Sequence, residues 1–477
     1  MKYKIEVKHT SIHIHNYTLG DCEQLEKRLS LWNPTYFRYE SKGFMYYEDK
    51  KLLIIPRGID INYIERVLDS VSEVNFTPDP YETISVKLRV PPRDDIQRKS
   101  ISFLIGENDF TYTKKYAQLL LNLQPGDGKT YISTASLTFL GMRTMVITHI
   151  ERIKNQWLDT FTRMTDLEDK QICVINSSKD IDKLFRKDNK YKVYLINHGT
   201  ILSYAKTNGW ESIGELFRHL KIGIKIIDEA HLNFENIIKI DLNTNTKKTI
   251  YLTATFERSD YKENNLFNVC FKNVVRYGLE TRKEKRKHIM YLGVLYNSKP
   301  GLDKQAYMTT MHGFNKIRYS EYQMTCEEFF NALQYTIDYF KNKEGKMMIM
   351  SSTIDSVELI KHYLNERYSD LTISAYHSKV SSEEKEKALE ADIICTTPKS
   401  AGTGVDIPGL RTVIMAESYS STVQADQVSG RLREYSDHDK TFYVELVDVG
   451  FTKVFSMYKK RLTIFKKKCA KVLSINL

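Results

Sequence analysis

Long apolar runs are missing from this 477-residue chain. None approaches the roughly 18 residues that a membrane-spanning helix needs, so no membrane association is expected. The opening MKYKIEVKHT has charges with no apolar stretch behind them, and no signal peptide is predicted. Cysteine is sparse. Cys22, Cys173, Cys270, Cys326, Cys395 and Cys469 stand singly, without a CxxC pair. That spacing argues against a disulfide framework or a structural zinc site and predicts a reducing, cytoplasmic setting. Acidic residues are absent from the last stretch. Between Phe451 and Leu477 lie Lys453, Lys459, Lys460, Arg461, Lys466, Lys467, Lys468 and Lys471, with no Asp or Glu. With a formal net charge of +11, this imbalance points to a polyanionic partner such as nucleic acid.

What is present is ordinary globular material, 41% hydrophobic and 27% charged, enough for about three domains. Residues 1–85 read as a small α+β unit. Ile12–His15 and Lys51–Ile55 have strand character, while Cys22–Leu29 and Ile61–Leu68 have helical spacing. Pro78-Asp79-Pro80 and Pro91-Pro92 break the pattern. Over residues 86–286, short apolar runs alternate with helical stretches, at Leu119–Leu123, Thr144–Thr148, Ile172–Ile175, Val193–Ile196, Ile222–Ile227 and Thr249–Leu252. Buried parallel strands in an α/β domain read this way. The pattern repeats over residues 287–477, at Met347–Met350, Leu371–Ala375, Asp392–Thr396, Val413–Met415 and Phe442–Leu446. The charged run Arg282–Lys287 reads as the linker between the two. Phe451, Phe455, Tyr458, Leu462, Phe465, Cys469 and Val472 predict a final helix whose basic residues face outward.

Three motifs carry chemistry. Leu119–Thr130 (LLLNLQPGDGKT) reads as strand, glycine-rich turn and helix start. In Pro125-Gly126-Asp127-Gly128 the glycines let backbone N–H groups wrap phosphate oxygens, and a helix N-terminus adds its dipole. Lys129 would neutralise the β- and γ-phosphates of ATP, and the Thr130 hydroxyl would ligate Mg2+. The pattern departs from the full phosphate-loop form, with Leu123 in place of its first glycine and the acid Asp127 beside the phosphates. Next comes Lys225-Ile226-Ile227-Asp228-Glu229-Ala230-His231, an apolar strand ending in paired carboxylates. Asp228 is assigned to the magnesium and Glu229 to polarising the attacking water. The third, Gln427-Val428-Ser429-Gly430-Arg431-Leu432-Arg433, could bring arginine to the same nucleotide.

Together these resemble a superfamily 2 helicase of the DEAH type across residues 90–450. The resemblance implies two tandem RecA-like parallel-sheet domains behind the small α+β unit, with ATP and Mg2+ held between them. It assigns Gln97 to the adenine and Thr253-Ala254-Thr255 to coupling hydrolysis with strand movement. Gly404 and Asp406, in Gly402-Thr403-Gly404-Val405-Asp406, would contact nucleotide and strand. Gln427 would contact nucleotide, and Arg431 or Arg433 would act as an arginine finger; Glu434 stands where the family places its second arginine. Thr148-His149, Asn197–Thr200, Ser351-Ser352 and Thr396-Thr397 would touch the nucleic-acid backbone. The layout is similar to phage helicases that remodel branched DNA in replication, recombination or repair. That implies a monomeric DNA motor in the host cytoplasm, with residues 1–85 as a DNA-recognition module. A duplex translocase without strand separation and an RNA helicase are the alternatives.

Overall fold

The structure is a computed structural model that describes residues 3–33, 36–68, 71–75, 79–123, 126–186, 190–232, 234–253, 261–278, 286–310, 313–401, 407–417, 425, 428–432 and 440–477. The chain divides into two compact units, Met1–Thr281 and Arg282–Leu477.

Among the described residues the first unit contains two large sheets and a two-stranded hairpin, Ser30–Asn33 with Arg38–Ser41. The N-terminal one has five strands in the order Met45–Tyr47, Leu52–Pro56, Ser11–His15, Tyr3–Val7 and Val71–Asn75. Neighbours are antiparallel except the last pair. Tyr3, Ile5 and Val7 are buried while Lys4 between them is exposed, the period of two that a half-covered strand demands. Leu52–Pro56 is buried throughout, and the helix Phe234–Asn243 packs against it. The hydrophobic core runs unbroken from Ile5, Ile14 and Ile55 to Ile237, Leu242 and Phe271. Polar contacts seal the junction. Thr10 Oγ1 donates to the carbonyls of Asp241 (2.8 Å) and Thr244 (2.5 Å), capping the end of that helix. The N–H of His9 donates to Asn245 Oδ1 at 2.9 Å.

The other sheet of this unit is wholly parallel, ordered Ile172–Ile175, Val193–Asn197, Thr144–Thr148, Ile224–Ile227, Lys248–Thr253, Gln118–Asn122, Val275–Tyr277. The second unit has its own parallel sheet, ordered Ile373–Tyr376, Ile393–Thr396, Lys346–Met350, Leu410–Met415, Thr441–Asp448, Arg286–Tyr296, Cys469–Asn476. Counted along the chain within each sheet, both run 3-4-2-5-6-1-7. The two sheets share one topology, that of tandem RecA-like domains. Central strands are buried on both sides, which explains their richness in Ile, Val, Leu and Met; the exception inside Ile224–Ile227, Lys225, is buried against Asp241 at 2.6 Å. No helix among the described residues is long and apolar enough to cross a membrane.

Several elements depart from the sequence expectation. The last helix is Thr452–Lys468, and Cys469 and Val472 belong to an edge strand instead. Long parallel pairing with Arg286–Tyr296 outweighs the helical spacing there. Arg461 does not face outward. It is buried at 2% exposure and grips Glu445 with two hydrogen bonds, Nε to Oε1 at 2.9 Å and Nη2 to Oε2 at 2.8 Å. Arg286 and Lys287 open a strand rather than lie in a linker, while residues 282–285 fall outside the described residues.

Candidate functional site

The site lies at the carboxyl edge of the first parallel sheet, where strands hand over to loops and helix N-termini. Gln118–Asn122 leads through the glycine turn into the helix Lys129–Leu140. Gly126 sits at φ +91°, and a Cβ there would meet nothing within 4 Å, so its backbone is open to a ligand. Gly128, at φ +87°, is the N-cap of the helix, and a Cβ on it would fall 2.5 Å from Gln97 Nε2. The positive φ favours glycine there, and a side chain would also displace the Gln97 amide from the turn. Lys129 and Thr130 are the first two helical residues, so their N–H groups lack partners within the helix and favour an anion. Lys129 Nζ donates to the Leu123 carbonyl at 3.0 Å, poised beside the turn.

Gln97 joins this turn from the helix Asp95–Ile105. Its Nε2 donates to the Asp127 carbonyl at 3.3 Å, and its Oε1 accepts the Arg93 N–H at 2.8 Å. Asp127 is buried in the turn.

The paired carboxylates follow Ile224–Ile227. The backbone is pinned on both sides: the N–H of Asp228 donates to Ile147 O at 2.9 Å, and that of Ala230 to Leu252 O at 2.8 Å. Between these anchors Glu229 is forced to φ +50°, a left-handed conformation that a side chain adopts at a cost of about 1–2 kcal/mol. Asp228 is buried, its Oδ2 accepting the Trp157 indole N–H at 2.9 Å and its Oδ1 the Glu229 N–H at 2.9 Å. Burial, and then the neighbouring Glu229 charge, push its carboxyl up to about 6, while Trp157, Lys129 and His149 pull the other way. Glu229 Oε2 lies 3.3 Å from His231 Nδ1, and that nitrogen bonds Thr253 Oγ1 at 3.0 Å. Thr253 ends the neighbouring strand, so the two motifs are in direct contact.

These residues fit a nucleoside triphosphate with Mg2+: an open glycine turn, a helix N-terminus, an adjacent lysine and a buried carboxylate. Thr130 and Asp228 would hold the ion, which supplies charge neutralisation at the β- and γ-phosphates. Trp157 carries no signal in its spacing, and His149 is expected at the nucleic-acid strand; the fold brings the helix Glu151–Met164 with Trp157 against Asp228 and puts the His149 ring within electrostatic reach of it.

The other expected positions are placed as follows. Thr148 and Asn197 are paired in register at neighbouring strand ends. Asn197 caps the helix His198–Asn208 by accepting the Thr200 N–H at 2.8 Å. In the second unit the N–H of Ser351 donates to Thr396 O at 3.0 Å, Ser352 Oγ donates to Glu417 Oε2 at 2.9 Å, and Thr397 Oγ1 lies 2.9 Å from Ser400 Oγ. The Arg431 N–H donates to Val428 O at 3.1 Å in a turn whose Val428 and Leu432 are buried. Pro125, Ala254, Thr255, Gly402, Thr403, Gly404, Val405, Asp406, Gln427 and Arg433 lie outside the described residues.

Comparison with known proteins gives the class. Residues 57–258 match the family described as type III restriction enzyme, res subunit, and residues 328–434 match the helicase conserved C-terminal domain. The chain belongs to the superfamily 2 helicases, a class of ATP-hydrolysing nucleic-acid motors. Among particular relatives, it is 26% identical over 145 residues to a Haloarcula marismortui protein described as "Putative DNA 3'-5' helicase Rad25". That match spans 30% of this chain and 21% of the relative's length. In fold it is similar to Saccharomyces cerevisiae Dbp5 bound to RNA and ADP BeF3, with a TM-score of 0.53 and 14% identity, covering 80% of this chain and 89% of that one. Phage T4 UvsW aligns over 100% of both chains at 14% identity, with a TM-score of 0.37.

Proposed function

We propose that this protein is an ATP-driven DNA helicase that remodels or unwinds branched DNA. The observation that carries the reading is the convergence of Lys129 and the glycine turn with Asp228 and Glu229 on one sheet edge. In this reading the turn and helix N-terminus bind the phosphates, and Lys129 leaves the Leu123 carbonyl to meet them. Asp228, its orientation set by Trp157, faces the metal, and Glu229 accepts a proton from the attacking water. Gln97 holds the turn and reads the base. His231 and Thr253 link the hydrolytic acid to the strand that leads into the coupling motif. Arg431 belongs to the second unit, where the helicase C-terminal match lies, and would add positive charge to the γ-phosphate.

DNA is favoured over RNA because both the restriction-enzyme family and the archaeal relative are described by DNA chemistry. Of the positions expected to touch the strand, Asn197 and Ser352 stay half-buried and could reach a sugar–phosphate backbone, whereas Thr148, Ser351 and Thr396 are buried.

The test is steady-state ATPase without nucleic acid, then with single-stranded DNA, a four-way junction and matched RNA. Stimulation by DNA, greatest with the junction, is expected. Stimulation by RNA alone would move the reading to an RNA helicase, and a strand-displacement assay separates unwinding from duplex translocation. Lys129→Ala and Glu229→Gln should each cost at least about a hundredfold in turnover. Normal turnover in either would refute the site assignment.

A further inference from the structure

We propose that residues 1–85 carry a second nucleic-acid site, an aromatic and arginine platform that stacks on unpaired bases. It deepens the reading above by naming an unpaired strand as the ligand of residues 1–85, and it rests on that reading only in taking nucleic acid as the partner.

The platform is built on the hairpin formed by Ser30–Asn33 and Arg38–Ser41. Trp32 and Tyr39 stand opposite each other in its register, ring centroids 5.2 Å apart and edge to face. Neither is covered: Trp32 is 37% exposed and Tyr39 58%. Phe37 is 81% exposed and held at φ +48°, a costly conformation for a bulky residue that turns an apolar ring to water. Aromatic side chains clustered this way are not core residues that failed to bury, since the core shared with the first parallel sheet closes without Trp32, Phe37 or Tyr39.

Arg28 lines one cleft with Trp32 and Tyr39. Arg28 and Arg66 both sit over Tyr63, at 5.0 and 5.6 Å from its centroid, and among the described residues neither is held by a carboxylate. A cleft of about 560 Å³ separates Arg28, Trp32 and Tyr39 from Leu266 and Val269 of the helix Tyr261–Cys270. Its size is that of small-ligand sites. Arginines without acidic partners select a polyanion, and exposed π faces reward bases whose own faces are free. A duplex hides those faces, whereas an unpaired strand at a fork or branch offers them. A protein partner would use the rings equally well but gives no reason for arginines with no acidic partner among the described residues.

The experiment uses the full-length protein without ATP, so it is readable whether or not the ATPase reading stands. Single-stranded DNA carrying 2-aminopurine and a blunt duplex of equal length are titrated by fluorescence. Trp32→Ala/Tyr39→Ala should weaken single-strand binding at least about tenfold and shift duplex binding by less than about twofold. Trp32→Phe, which keeps a ring, should retain most of the affinity and controls for folding. Arg28→Ala/Arg66→Ala should lower both affinities and flatten their salt dependence. Single-strand affinity unchanged in Trp32→Ala/Tyr39→Ala, or equal losses for strand and duplex, would overturn the proposal.

Discussion

At the scale of single residues, the arrangement around Asp228 shows how a carboxylate is aimed. One oxygen is occupied by the Trp157 indole and the other by the Glu229 N–H, so its orientation has little freedom. Trp157→Phe keeps a ring but removes the donor, leaving Oδ2 without its partner. Loss of a hydrogen bond to a charged group in a buried position costs about 1.5–3 kcal/mol. The expected outcome is a lower melting temperature together with a higher Mg2+ requirement for ATPase, read by titrating Mg2+ at saturating ATP. A shift in stability alone, with the Mg2+ dependence intact, would reduce Trp157 to a packing residue. None of this was legible in the chain. Asp228 announced itself by standing beside Glu229 after an apolar strand, whereas Trp157 lies 71 residues away and carries no local signal.

At the scale of elements, the parallel strands were readable because strands buried on both sides are mostly apolar along their length, as at residues 145–147 and 347–350. The edge strand Cys469–Asn476 escaped, since its less exposed residues Cys469, Val472 and Ile475 stand three apart and continue the helical stripe of Thr452–Lys468. The same helix conceals the buried pair of Arg461 and Glu445, each 2% exposed or less. Two charges in a core are stable only together. Arg461→Met should therefore lower stability by about 3–5 kcal/mol, because it strands the Glu445 carboxylate. Adding Glu445→Leu should recover most of that loss, since the second change removes the uncompensated charge. Additive losses in a thermal or urea double-mutant cycle would show that the pair is uncoupled.

At the scale of the whole molecule, the N-terminal sheet and the first parallel sheet share one core, plugged by Thr10 at the end of Phe234–Asn243. We expect residues 1–281 to unfold in a single calorimetric transition, and removal of residues 1–85 to destabilise what remains. A separate transition for the N-terminal sheet would contradict this. His13, on that sheet, gives the transition a pH signature. Burial, reinforced by the charges of Lys8, His15 and Arg218, pushes its ring down to about 3 from an ordinary 6.5. The unfolded chain then binds the extra proton between those values, so stability is full above about pH 6.5 and falls as pH drops towards 3. After allowance for partial solvent access, the loss at pH 5 is roughly 1–2 kcal/mol. His13→Gln should flatten that acid limb.

What the sequence by itself determined is the local chemistry: a glycine turn before a lysine, two carboxylates after an apolar strand, and two runs of buried strands. Such signals survive in one dimension because phosphate cradling and parallel-sheet burial each demand particular residues at short spacing. Only the tertiary structure decided that both parallel sheets share one strand order, that Trp157 aims Asp228 and that Arg461 is a core residue. It also decided that the N-terminal sheet is fused to the first parallel sheet while its aromatic hairpin stays exposed. Each of those depends on contacts between segments far apart in the chain, and no spacing rule reaches that far.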